Sequence, residues 1–346
     1  MPRSWEGTAP NGATPPEPEE RTGPLRTLRR SLAPIREARG LPKWTLYVGI
    51  AIVVVFVVMA VFAPWISPYH FDQYQSSSGA RFPKSGHPSG AHPLGTNILD
   101  FDVLSHIIYG SRTALEVIIL AVVFSLVIGV PLGLYSGYFG GWLDRVLVLV
   151  MDAMFAFPSL LLAILVAVYL GGKFNWLGPG FGGVMSAALS ITVIYVPQYF
   201  RVIRNSVISV REEPFVEAAQ VLGAKPRTVI GRYVFGNVVQ NVPVIATLNA
   251  ADALLTLAGL GFLGYGVQPT QAAEWGYDLQ RALGEVSGGV WWTSVYPGLA
   301  IVLLVTGLTL VGESLNDLVN PTLRRRRLLP VTIADTAQEE GGHVGV

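Results

Sequence analysis

The 346-residue chain contains no cysteine. That excludes disulfide frameworks, thiol nucleophiles and cysteine-held metals, and fits any redox compartment. Charge is scarce too. Asp, Glu, Lys and Arg make up 14% of residues, against about 25% in soluble domains. With 51% hydrophobic residues, this is the balance of a chain largely embedded in a bilayer. No G-x-x-x-x-G-K-[ST] stretch occurs, so the chain has no standard loop for cradling ATP phosphates. The apolar stretches hold no histidine, and neither Asp152 nor Asp252 sits in a paired-acid or Ser–His constellation. An intramembrane hydrolase is thereby disfavoured.

What is there is apolar sequence in long runs. A helix needs about 20 apolar residues to cross a bilayer, and six stretches qualify: 45–66, 113–136, 146–170, 183–200, 238–263 and 294–316. Asp152 lies in the third and Asp252 in the fifth. The first resembles a signal peptide at "VFA", but its apolar run is too long and starts too late, and a Pro would follow the cut. We expect an all-α polytopic membrane protein with six transmembrane helices. With the N-terminus placed inside, 19 of the 24 Lys and Arg fall on inner segments. The outer ones hold Arg81, Lys84, Arg112, Lys173 and Arg281. That bias puts both termini in the cytoplasm.

The resulting organisation is a basic cytoplasmic tail over 1–43, disordered at its start, and a first helix over 44–66. An extracytoplasmic loop follows over 67–112. A core over 113–316 contains a cytoplasmic loop at 201–237, and a cytoplasmic tail covers 317–346. "RRRR" at 324–327 invites a nucleic-acid reading. Beside a span it reads better as a stop that meets anionic lipid headgroups. His87 and His92 lie close together in the outer loop, without a convincing third metal ligand.

One polar segment stands out, "EEPFVEAAQVLGAKPRTVIGRYVF", between two membrane-type stretches. Pro214 suits the first turn of a helix. Phe215, Ala218, Ala219 and Leu222 recur at helical spacing and predict one apolar face. Gly223 predicts a left-handed stop. Pro226 starts a second half, striped by Val229, Ile230, Tyr233 and Val234. Glu217 is placed to accept backbone N–H groups or to pair with Arg227. On these residues alone, the segment is either an amphipathic loop lying on the membrane or a docking element.

The order of residues favours docking. "EAAQVLG" matches the EAA-x3-G motif in membrane subunits of bacterial binding-protein-dependent ABC importers. "HPLGTN", "DVLSHIIYGSRTAL", "GYFGGWLDR", "FPSLLLAI", "GFLGYGVQP", "EWGYDL" and "YPGLAIVLLVTGLTLVGESLNDLVNPTLR" then follow in an order that resembles the C-type permease subunit of dipeptide/oligopeptide (peptide/nickel family) importers. The resemblance covers about residues 45–327. It implies the type I ABC importer permease fold and inward movement of di- or oligopeptides by alternating access. A nickel chelate or another small solute is the alternative cargo. It also implies a homologous B-type permease subunit, two cytoplasmic ABC ATPase subunits and an extracytoplasmic peptide-binding protein. ATP and Mg belong to the ATPases, and this chain binds no cofactor.

Carried onto this sequence, the ATPase-coupling residues are Glu217, Ala218, Ala219, Gly223, Ala224 and Arg227. The chain departs from the family in three places. Tyr233, Phe235 and Gly236 stand where an I-x-L-P ending is usual, and Gly236 is expected to break the helix instead. "ILDFD" follows "GTN" where "ELGRD" is common. Leu257 replaces an acidic residue.

Asn249, Asp252 and Thr256 share one face of the fifth stretch. An intramembrane acid faces a water-filled path or a partner. The face is thus either a polar stripe on a translocation path or an interhelical contact. Asp152 is expected to pair with Arg145 or Arg201.

Overall fold

The computed structural model describes residues 41–319, and the basic tail to residue 40 and the Arg324–Arg327 cluster lie outside them. The described residues are helical, with two isolated β-bridges at 75–81 and 96–102. The membrane-type helices are α1 (Leu41–Val61), α2 (Val103–Phe139), α3 (Gly141–Ala156), α4 (Ser159–Leu170), α5 (Pro179–Arg211), α7 (Val242–Phe262) and α9 (Trp292–Val319). Two shorter helices, α6 (Pro214–Val221) and α8 (Trp275–Val286), sit in the connections at opposite ends. Among the described residues, five helices are each long and apolar enough to cross a membrane, and a bent pair counted as one span makes six.

That bent pair corrects the expected single span over 146–170. α3 and α4 meet at 99°. Phe157 is extended (φ −80°, ψ 137°) before Pro158, as the clash with a proline ring demands. Pro158 also lacks the N–H that would continue α3. α2 and α5 run well beyond their apolar stretches. At 37 residues, α2 is roughly 55 Å long, against a bilayer core of about 30 Å. Its first two turns therefore carry polar residues out of the apolar region, His106 among them.

α2 and α5 form the spine. Gly129, Gly133 and Gly137 make a stripe on α2 where a Cβ would come within 2.8 Å of α5 atoms. Small residues four apart let two helix backbones approach closely, the usual device where lipid removes any hydrophobic drive. α1 lies on α9 through a similar contact between Gly49 and Gly307. The main core gathers Ile191, Tyr195, Leu254, Leu257, Leu260 and Leu304, with Trp275 and Phe56 edge to face at 5.7 Å.

Candidate functional site

Three clusters of polar chemistry emerge, one at each end of the helices and one in the middle.

At the end where α5 stops, the chain turns at Glu212 and Glu213 into α6. Pro214 occupies its first turn. Val216 is fully buried and Ala219 nearly so. Phe215, Ala218 and Leu222, expected to share one apolar face with Ala219, are exposed. The reason is where the supporting surface lies. Val216 enters a cluster with Ile203 and Val207 of α5 and with Val229, Val234 and Val238. Val221 and Leu222 are left 82% and 87% exposed.

Gly223 adopts φ +81°, the left-handed stop expected, and the Ala224 N–H bonds back to the Ala219 carbonyl at 3.0 Å. Glu217 and Arg227 are both exposed, and no ion pair joins them among the described residues. The second stripe holds as expected: Val229 and Val234 are buried, Ile230 and Tyr233 half-buried. Gly236 does not break the chain. Helix continues through Phe235–Val238, directly after a π-helical stretch over Val229–Val234.

This loop is tied to its neighbours by charge. Arg204 of α5 clasps Asp144 of α3 with two bonds, at 2.6 and 2.7 Å, and the Ser136 hydroxyl donates to the same carboxylate. Arg211 donates to the Tyr138 carbonyl at 3.0 Å. Asp152 pairs with Arg201 at 2.9 Å, one of its two expected partners.

At the middle of the helices, Asn249, Asp252 and Thr256 share a face of α7 but not an environment. Asn249 is buried and Asp252 exposed. The buried Tyr195 of α5 donates its hydroxyl to Asp252 Oδ2 at 2.7 Å. Thr256 donates to the Asp252 carbonyl at 3.0 Å. Tyr195 was not legible in the sequence. Its contact is set by the α5–α7 crossing, 57 residues apart.

The opposite end is a knot of buried polar groups. Asp102 caps α2 by accepting from the Ser105 N–H and hydroxyl, both at 2.8 Å, and it also meets His92 at 3.0 Å. His92 is therefore a structural partner, while His87 stacks against Trp292. Among the described residues no group of three or more His, Asp or Glu could hold a metal. His106 Nδ1 faces Asp278 at 3.0 Å and its Nε2 faces the Phe71 carbonyl at 2.9 Å. Glu285 accepts from the Ser85 hydroxyl and the Ile98 N–H.

Glu274 caps α8 with bonds from Gly276 and Tyr277 at 2.8 and 2.9 Å. Burial pushes its carboxyl up to about 8 against the pull of those two N–H groups. The Glu274 carboxylate rests on Gly261, where any Cβ would collide with it. Sequence reasoning quoted "EWGYDL" but gave Glu274 and Asp278 no role. An acid directly before a Trp–Gly helix start was the available signal.

Comparison with known proteins joins these clusters into one class. The sequence model of the family described as "Binding-protein-dependent transport system inner membrane component" matches residues 129–325. That of the "N-terminal TM domain of oligopeptide transport permease C" matches 45–83. The chain belongs to the binding-protein-dependent inner-membrane permease family, multi-pass components of ABC importers, and begins as the C-type branch does.

Among its relatives is the dipeptide transport system permease protein DppC of Alkalihalophilus pseudofirmus. The two are 34% identical over 309 residues, covering 89% of this chain and 96% of the relative. The glutathione transport system permease protein GsiD of Pectobacterium atrosepticum is 30% identical over 276 residues, 79% of this chain and 85% of the relative. GsiD of Escherichia coli O157:H7 is 30% identical over 272 residues, 79% and 84% respectively.

Proposed function

We propose that this chain is one half of a heterodimeric permease that moves di- or oligopeptides inward. A homologous B-type subunit supplies the other half. Two cytoplasmic ATPase subunits bind ATP and Mg, and an extracytoplasmic binding protein delivers the peptide. The cargo reading is supported by the relatives, which carry a dipeptide and glutathione, itself a tripeptide. The cation bias supports an orientation with α6 in the cytoplasm.

The observation that carries the mechanism is the outward apolar edge of α6. Phe215, Val221 and Leu222 point away from their own subunit on a helix whose other side is anchored by Val216. An ATPase groove covers that edge. When the ATPases close, they displace α6 as a unit. The valine cluster and the Arg204–Asp144 clasp pass the displacement to α5 and α3, and the stiff α2–α5 spine converts it into alternating access.

Asp252 sits at the middle of the 21-residue α7, at the depth of the bilayer centre. An acid facing lipid there costs about 2.5–3.5 kcal/mol on insertion scales, so its open side belongs to the path. Asn249 and Thr256 complete a polar seam beside it.

Single-cysteine labelling is clean in a chain without cysteine. A cysteine replacing Leu222 is expected to crosslink to the ATPase in the purified complex. In intact cells, Lys84→Cys reacts with an impermeant maleimide and Lys225→Cys does not. Outside labelling at position 225 overturns the orientation. Absence of the position-222 crosslink, with the complex intact, overturns the coupling role.

A further inference from the structure

The contact between Tyr195 and Asp252 has a geometry that a simple brace does not need. The Tyr195 ring is fully buried beside Ile191 and Leu254 in the core, so packing already fixes it. Its hydroxyl then reaches out to Asp252 Oδ2 at 2.7 Å. The Asp252 side chain lies on the exposed side of α7, and its Oδ1 takes no hydrogen bond within the described residues. Thr256 spends its hydroxyl on the Asp252 carbonyl and leaves the carboxylate alone. One turn along each helix, the buried Tyr199 hydroxyl and the Asn249 amide face each other. The seam therefore holds one carboxylate from behind and leaves its Oδ1 open.

Such a carboxylate is prepared for a cation. A donor on Oδ2 stops the side chain from turning back along its own helix, and the free Oδ1 accepts a charge-assisted bond from an ammonium N–H without reorganising first. We propose that Tyr195 is a specificity-determining positioning residue. It orients Asp252 so that Oδ1 receives the free α-ammonium of a peptide crossing the middle of the membrane. The inference rests on reading Asp252 as a path residue. It adds the residue that aims it and the chemical group it selects. Neutral solutes and amino-blocked peptides gain nothing from this contact.

The test uses the full importer complex in proteoliposomes with its binding protein, and a mixture of alanine peptides of two to five residues as probe. Tyr195→Phe, Asp252→Asn, their double variant and Asp252→Glu are compared for maximal uptake, basal ATP hydrolysis and melting temperature. Tyr195→Phe is expected to cut maximal uptake on the order of tenfold, the effect of losing one charge-assisted bond. It adds nothing once Asp252→Asn is present, and basal hydrolysis stays unchanged. Asp252→Glu, which keeps the charge, retains more uptake than Asp252→Asn.

Wild-type uptake by Tyr195→Phe, with Asp252→Asn impaired, overturns the inference and leaves the path reading standing. Wild-type uptake by Asp252→Asn overturns the path reading itself. Coupling between the two residues in melting rather than uptake makes the pair a brace. Equal losses in the Asn and Glu variants remove the ammonium.

Discussion

The two ends of this permease handle polar residues in opposite ways. At the 67–102 end, His92, Thr96, Asp102, Ser105, His106, Glu274 and Glu285 are all buried and find partners within the chain. At the 211–241 end, Glu212, Glu213, Glu217, Lys225, Arg227 and Arg232 are all exposed, and so are Val221 and Leu222. The first end spends its polar groups on its own fold. A buried hydrogen bond contributes about 1 kcal/mol net, but leaving one partner orphaned costs about 1–3. The second end holds itself by a valine cluster and the Arg211–Tyr138 bond and leaves its other charges exposed. Where a chain closes its own hydrogen bonds, mutation reads out as stability. Where it leaves an apolar edge open, mutation reads out as assembly.

The sharpest break in that comparison is Gly223→Val. At φ +81° a β-branched residue is strained by about 1–2 kcal/mol or more. The loop relieves that strain by tilting α6 about its Val216 anchor. We expect abolished uptake and loss of the ATPases on purification, with the chain still inserted and its melting temperature nearly unchanged. Glu217→Lys, a charge reversal on the open face, is expected to act the same way. Normal copurification in both variants would end the distinction between the two ends.

Next in size is Asp102→Ala at the closed end. It removes the α2 cap, the Ser105 bonds and the partner of buried His92 together. A loss of about 2–3 kcal/mol follows from a cap plus an orphaned buried group. It should appear as earlier melting of the detergent-solubilised complex, with ATPase docking intact. A variant that melts normally but sheds its ATPases would reverse the assignment of the ends.

This contrast also explains what the sequence revealed. The helix–turn–helix of this loop was legible because its signals are local: Pro214 at a helix start, Gly223 at a stop, Val229, Ile230, Tyr233 and Val234 at helical spacing. Which side of it the chain itself covers was not legible. In an eight-residue helix the stripes starting at Phe215 and at Val216 are both plausible, and only the position of Ile203 and Val207 on α5 decides between them. The break at Phe157–Pro158 was visible as a proline but not as a 99° turn, because membrane helices tolerate prolines when neighbours re-satisfy the backbone. Pro131, Pro197 and Pro297 all stay inside continuous helices. The closed end was the least legible. Its pairs join residues 172 and 200 positions apart, as His106–Asp278 and Ser85–Glu285 do, and no periodicity encodes such a meeting.

A smaller effect sharpens the open end. Leu222 is 87% exposed, so Leu222→Ser changes folding stability by less than about 0.5 kcal/mol. Covering a leucine on docking contributes about 1.5–3 kcal/mol. We expect the affinity of the permease for its ATPases to fall by about tenfold or more, measured by titration in nanodiscs, with no change in melting. A change in melting without a change in affinity would mean that Leu222 is covered within its own subunit.

The smallest effect tests how completely the closed end is sealed. Glu274 is 5% exposed, and its carboxyl, pushed up to about 8 by burial, lies well above its ordinary value. A group whose folded-state pKa is raised binds its proton more tightly in the folded chain. Its contribution to stability is therefore full below the ordinary carboxyl range and fades as pH rises through about 8. Between pH 7 and 9 the wild type should lose on the order of 1 kcal/mol more than Glu274→Gln does. The glutamine has no proton to release, and its carbonyl still accepts one of the two N–H groups at the start of α8. Melting of the two complexes side by side across that range isolates the difference from every other titrating group. Parallel curves would mean that the Gly276 and Tyr277 N–H groups already hold a carboxylate anion at pH 7. The closed end would then tolerate a buried charge on the strength of two backbone donors.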